Sequence, residues 1–334
     1  MDLMNPLRRR GSPAPDIENA LRQKGAMLET AIRERDALAE RLRTLEGGLR
    51  QELSLKGLFV IGHSRSGTTI LENALNDHRE IFIFNEADFY SDSGARDFRA
   101  RHNAMHQAFR NQENKGSFCP KLFDEDESWD RYVIALSRVY RYVGSKIVIH
   151  QDRNTGMPDQ LFDFMTKWFY GSHFIFTFRN PADVLGSNRG LAAWTGGESP
   201  DCRLVMRSFL WVMRLYIRAL RNLPNVRAIF HEQVSPQTFE ALSDWLGLDL
   251  RGSFGYYSDT KVKAYSRAAL SDGDRLLLER TEALYAELSL QACAGYELVQ
   301  IDQNNATIDP THGSRLGELY RRIDEAIAAI DASL

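Results

Sequence analysis

The segment His63-Ser64-Arg65-Ser66-Gly67-Thr68-Thr69 packs one guanidinium, four hydroxyl groups and a glycine into seven positions. Leu58-Phe59-Val60-Ile61-Gly62 precedes it, and the periodic stretch Ile70-Leu71-Glu72-Asn73-Ala74-Leu75 follows. An apolar run this short and this β-rich reads as a buried parallel strand rather than a helix. The order is therefore strand, loop, helix, with Gly62 and Gly67 bounding the turn. Backbone N–H groups of such a loop converge on an anion, and the positive end of the helix dipole adds to the attraction. Gly62 and Gly67 keep the spacing of the nucleotide-hydrolysing loop G-x-x-x-x-G-K-[ST], but Thr68 stands at the lysine position. The nearest cation is Arg65, inside the loop. Without the lysine, the loop is poorly suited to γ-phosphoryl transfer and better suited to an anion whose reacting group is not a triphosphate. A kinase or NTPase with a degenerate loop is the rival reading, and a requirement for Mg²⁺ would mark it.

A second anion site is written further along. His173-Phe174-Ile175-Phe176-Thr177-Phe178 reads as another buried strand, running into Arg179-Asn180-Pro181 and a helix from about Ala182. Proline in a first helical turn needs no N–H partner, which marks the helix start. Arg179 then ends the strand, and Ser187 lies about two turns along the helix. In an open α/β sheet, ligands collect beyond the carboxyl ends of the strands, so both side chains can face one anion. Two further apolar runs, Ile81-Phe82-Ile83-Phe84 and Lys146-Ile147-Val148-Ile149-His150, read as strands, the first ending in Asn85-Glu86.

Together, R-S-G-T-T after a strand and R-x-P-x-D-x-x-x-S at a strand–helix junction resemble the sulfotransferases that use 3′-phosphoadenosine 5′-phosphosulfate (PAPS). The resemblance covers most of the span from Leu58 to Arg267. It implies a P-loop-like α/β fold, a central parallel sheet flanked by helices. It also implies transfer of a sulfuryl group from PAPS to an acceptor hydroxyl, with 3′-phosphoadenosine 5′-phosphate as the second product. By this resemblance, Ser66, Gly67, Thr68 and Thr69 hold the 5′-phosphosulfate, and Arg65 offsets charge on the leaving phosphate. Arg179 and Ser187 hold the 3′-phosphate that distinguishes PAPS from ATP.

In-line attack on sulfur needs a base for the acceptor proton and cations over the transferring oxygens. In tyrosyl-protein and heparan-type relatives the base is a glutamate just after the second strand, and Glu86 matches it. Partial burial among aromatics would raise the pKa of such a carboxylate toward a useful range. His63 and His150 are alternative bases. Relatives often carry a lysine in an Asp-Lys-Thr-Pro-like segment after the third strand. This chain has Asp152-Arg153-Asn154-Thr155, so Arg153 would take over that role. The basic stretch Thr260–Arg267, with Lys261, Lys263 and Arg267, would close the nucleotide site. No metal is expected, because arginines and backbone donors supply the positive field. A carbohydrate or small-molecule acceptor is favoured, with phenols, lipid-linked sugars and peptide tyrosine chemically open.

Composition narrows the setting. With 42 basic and 45 acidic residues the formal net charge is −3, which gives no reason to expect a nucleic-acid partner. Cys119, Cys202 and Cys293 are odd in number and far apart, which argues against a disulfide framework and against metal-ligand spacing. No run approaches the roughly 18 apolar residues of a membrane span. The basic start, Met1 to Arg10, has no apolar stretch after it. Animal relatives acting on glycans or secreted tyrosines are usually Golgi-anchored, so a cytoplasmic, bacterial-type enzyme is expected.

Four stretches organise the chain. Residues 1–15 are a polar, Pro- and Arg-rich tail that reads as disordered. Residues 16–54 carry a heptad pattern, with Leu21, Leu28, Leu42 and Leu49 on one seam and Ile17, Ala31, Leu38 and Leu45 on the other. Arg35 and Lys24 interrupt those seams. This arm would pair two copies of the chain, or else pack on its own domain. Residues 55–300 form the α/β domain, with aromatic-rich insertions at 88–142 and 192–220 that would line the acceptor pocket. Residues 301–334 comprise a linker and an amphipathic helix whose stripe, Leu316, Leu319, Ile323, Ile327 and Ile330, must dock on the domain or on the arm. A non-catalytic, nucleotide-binding coiled-coil scaffold is the other alternative. The joint presence of Arg65, Glu86, Arg179 and Ser187 speaks against it, since a scaffold needs no base beside the loop.

Overall fold

The structure, a computed structural model, describes residues 23–38, 57–85, 139–151, 157–258, 270–295 and 310–334. The chain divides into two compact units, Met1–Leu53 and Ser54–Leu334. In the first, residues 23–38 form a helix on which Met27, Leu28 and Leu38 are exposed. The polar tail and the rest of the heptad region lie outside the described residues.

In the second unit, strands β1 (Leu58–His63), β2 (Ile81–Asn85), β3 (Tyr142–Ile149), β4 (His173–Phe178) and β5 (Val226–Phe230) form one sheet in the order β2-β3-β1-β4-β5. Every pairing is parallel. The longer helices among the described residues are α1 (Thr68–Asn76), α2 (Met157–Trp168), α3 (Pro181–Thr195), α4 (Cys202–Asn222), α5 (Pro236–Leu246), α6 (Asp272–Gly295) and α7 (Pro310–Asp331). The architecture is thus the expected α/β one, a parallel sheet with helices on both faces.

Each residue of β1 and β4 is buried, which is why both strands read as mainly apolar runs without polar alternation. Alternate residues feed opposite cores. Phe59, Ile61, Phe174, Phe176 and Phe178 join residues of α2, α4, α6 and α7, whereas Leu58, Val60 and Ile175 join residues of α1 and α5. The crossover from β1 to β2 carries α1, and the one from β4 to β5 carries α3 and α4. The two run in opposite directions along the sheet and so occupy opposite faces, as right-handed connections require. The carboxyl ends of the adjacent strands β1 and β4 therefore flank a point of divergence where a ligand can enter.

One boundary differs from the sequence reading, and one alternative it left open is resolved. β3 begins at Tyr142 rather than Lys146, because Gly144 and Ser145 dilute the apolar pattern of a strand that is nonetheless largely buried. The stripe of α7 docks inside the domain. Leu319 and Ile323 are fully buried in the core that also contains α4, and Arg214–Asp324 and Arg207–Asp331 pairs, each at 3.0 Å, rim the contact.

Candidate active site

The loop after β1 is held from below by buried polar side chains. His63 is 0% exposed. Its Nδ1–H donates to the Ser64 carbonyl at 2.7 Å, which leaves Nε2 to accept from the Ser208 hydroxyl of α4 at 2.8 Å. Burial pushes its pKa down to about 4, so the ring is neutral near pH 7. The Ser66 and Thr177 hydroxyls lie 2.9 Å apart, tying the loop to β4. The Ser64 hydroxyl donates to Asn188 Oδ1 of α3 at 2.9 Å. Two left-handed residues, Arg65 (φ 70) and Gly67 (φ 96), turn the chain back into α1. Gly67 caps α1 without any side-chain hydrogen bond, so the N–H groups of the first turn remain available to an anion. Thr68 is buried and Thr69 is exposed.

The second motif meets this loop directly. Asn180 Oδ1 accepts from the Ala182 N–H at 2.9 Å, and Pro181 starts α3, so the helix begins where the R-x-P pattern requires. Glu232 braces the same turn by accepting from the Asn180 N–H at 2.5 Å and from the Tyr285 hydroxyl at 2.6 Å. Ser187 accepts from Arg65 Nε at 2.9 Å, so the two motifs, 122 residues apart in sequence, touch. Arg179 lies near Asp183 at 3.6 Å, and its Nε is buried without a hydrogen-bond partner.

Two features of the site escaped the sequence. His231, just past β5, has a buried Nδ1 without a partner. A Cβ built on Gly67 would lie 2.9 Å from that nitrogen, so the ring forms the wall beside the loop. Burial, and after it the Arg179 charge, lower the pKa of His231. Lys146 of β3 is 2% exposed and lies 3.0 Å from Glu72 of α1, while donating to Thr69 Oγ1 at 3.1 Å. A lysine inside an apolar strand run was the available signal, since a buried charge requires a partner.

Of the expected site residues, Arg65, Ser66, Gly67, Thr68, Thr69, Arg179 and Ser187 gather at the carboxyl ends of β1 and β4. His63 belongs to the loop's foundation: with both ring nitrogens bonded and its proton affinity suppressed, it cannot serve as the base. His150 directly follows β3 and is half-buried. Glu86, Arg153, Lys261, Lys263 and Arg267 lie outside the described residues; β2 ends at Asn85, immediately before Glu86. Among the described residues there is no group of acidic, histidine and cysteine side chains able to hold a metal ion. Nor is any helix among them long and apolar enough to cross a membrane.

A parallel sheet thus brings the glycine loop after β1, the free first turn of α1 and the Arg65–Ser187 contact together at one edge. The model of the sulfotransferase family matches residues 57–248, more than half of the chain, and the chain belongs to that family. Two solved structures are similar to it. The sulfotransferase domain of the olefin synthase from Synechococcus PCC 7002 is 16% identical, covering 68% of this chain and 94% of its own, with a TM-score of 0.43. The sulfotransferase STF9 from Mycobacterium avium is 14% identical, covering 70% of this chain and 76% of its own, with a TM-score of 0.41. No curated protein matches the chain.

Proposed function

We propose that this chain moves the sulfuryl group of PAPS to the hydroxyl of a carbohydrate or small-molecule acceptor. The observation that carries the reading is the Arg65–Ser187 contact beside two buried, unpartnered nitrogens, Arg179 Nε and His231 Nδ1. A buried N–H group or ring nitrogen without a partner forfeits its hydration; Arg189 Nε and Arg207 Nε share that state, so it is the position of these two that counts. Here both lie against residues of the R-x-P-x-D-x-x-x-S motif or the loop, where an anion would satisfy them. The residues present therefore fit a nucleotide carrying both 5′- and 3′-anions.

In this mechanism the α1 amides, Ser66, Gly67, Thr68 and Thr69 bind the 5′-phosphosulfate, and Arg65 offsets charge on the leaving phosphate. Arg179 and Ser187 bind the 3′-phosphate. Ser187 accepts from Arg65, so its own proton is left to donate to that phosphate. Glu86 removes the acceptor proton, Arg153 steadies the transferring group, and Lys261, Lys263 and Arg267 close over the nucleotide. The positive field comes from these side chains and backbone donors, with no metal needed. The exposed Met27, Leu28 and Leu38 of the N-terminal helix fit pairing of two copies of the chain through the heptad arm.

The test is formation of 3′-phosphoadenosine 5′-phosphate from PAPS in the presence of a panel of sugar, phenol and alcohol acceptors. Glu86→Gln is expected to lower turnover by roughly 10²-fold or more while leaving nucleotide affinity within a few-fold. An unchanged rate would remove Glu86 from the chemistry, and no transfer to any hydroxyl would overturn the reading.

A further inference from the structure

Lys146 occupies the middle of β3, in register with Val60 of β1 on one side and Asn85 of β2 on the other. Its partner Glu72 is 5% exposed, so both charges of the 3.0 Å pair are taken out of water. Burying two ions is a poor route to stability, because their desolvation offsets most of their attraction and well-packed apolar residues would serve as well. The third member of the cluster is the informative one. Thr69 is exposed in the first turn of α1, and its hydroxyl accepts from the Lys146 ammonium at 3.1 Å. A hydroxyl has one proton to give. With Lys146 donating into its oxygen, that proton is left for an acceptor other than the lysine. Were the lysine absent, the Glu72 carboxylate, one turn along the same helix, would draw the proton inward.

We propose that Lys146 and Glu72 are a positioning pair for the anion loop. Lys146 fills the accepting side of Thr69 Oγ1 and turns its O–H toward the bound 5′-phosphate or sulfate oxygen. Glu72 anchors the ammonium and neutralises it, so that the lysine orients Thr69 without itself binding the anion. The inference rests on the reading of this loop as the 5′-phosphosulfate site, and it adds residues that touch neither substrate. It gives the pair a role in affinity for the 5′-anion and none in affinity for the rest of the nucleotide.

The experiment is a calorimetric cycle on the full chain with two probes, 3′-phosphoadenosine 5′-phosphate and adenosine 3′-phosphate, which lacks the 5′-group. The proteins are the unaltered chain, Thr69→Val, the apolar replacement Lys146→Met/Glu72→Leu, and the triple variant. Each single step is expected to weaken the bisphosphate roughly tenfold, and the triple variant to lose no more than Thr69→Val alone. Adenosine 3′-phosphate is expected to bind all four equally. Additive losses, or equal losses for both probes, would make the pair a structural element and overturn the proposal. Should the apolar replacement not fold, Glu72→Gln, which keeps the lysine's donation, must hold the bisphosphate within about threefold while Thr69→Val still loses roughly tenfold; a larger loss in Glu72→Gln also overturns it. Failure of the unaltered chain to bind the bisphosphate at all would remove the loop reading and this inference together, a result distinct from any pattern among the variants.

Discussion

Gly67→Ala puts a methyl group where both the backbone and a neighbour exclude it. At φ 96 and ψ 8 an L-residue sits in the left-handed region, which costs roughly 1–2 kcal/mol. The new Cβ would also lie 2.9 Å from the buried His231 Nδ1, and this half-buried ring has to shift to accommodate it. Overpacking of this kind adds about 1 kcal/mol. The total, roughly 2–3 kcal/mol, corresponds to a fall in Tm on the order of 4–10 °C for a domain of this size. Gly196→Ala is the matched control: its φ is 71, but nothing lies within 4 Å of the added Cβ. It should lose the backbone part alone, roughly 1–2 kcal/mol, and leave ligand affinity unchanged. Thermal melts followed by circular dichroism, with bisphosphate titrations on the same samples, separate the two. Gly67→Ala should melt lower than Gly196→Ala and bind the bisphosphate at least tenfold more weakly than the unaltered chain. Equal melting temperatures with equal affinities would refute the idea that Gly67 is required so that His231 can close against the loop.

Other consequences can be checked with single variants. His63 resists protonation in the folded chain down to about pH 4, whereas an unfolded histidine takes up its proton near 6.5. The unfolded state therefore binds more protons across that window, and stability falls as pH drops through it while staying level above it. Between pH 6.5 and 5 the loss from this one group is about 1.5 kcal/mol. Urea titrations at the two pH values should show that slope reduced in His63→Gln, and an unaltered slope would disprove the assignment. Arg179→Ala should weaken PAPS far more than adenosine 5′-phosphosulfate, which lacks the 3′-phosphate; matching losses for the two would dissociate Arg179 from that group.

Much of the framework was legible because buried parallel strands announce themselves. Phe59 and Phe174 on one face, and Val60 and Ile175 on the other, give β1 and β4 apolar residues on both faces, with His63, His173 and Thr177 the polar exceptions. The strand–proline–helix junction at Arg179 was equally readable, since Pro181 can begin a helix but cannot continue a strand ladder. What the sequence concealed was partnership across distance. Lys146 and Glu72 are separated by a crossover, and neither residue's local pattern names the other. His231 follows an unremarkable strand, and only the fold brings it against Gly67. His63 looked chemically able from its position in the loop. Its burial under α4 and its bond to Ser208 turn it into a support. The stripe on α7 required a partner, and the identity of that partner depended on the exposed face of α4, which no single helix reveals.

The most direct test of a sulfonucleotide site in this chain is calorimetric titration of 3′-phosphoadenosine 5′-phosphate against ATP, each with and without Mg²⁺. A PAPS-dependent site predicts micromolar binding of the bisphosphate without metal, and weak binding of ATP under both conditions. Tight, Mg²⁺-dependent binding of ATP with no response to the bisphosphate would contradict it and make the loop that of a kinase or NTPase.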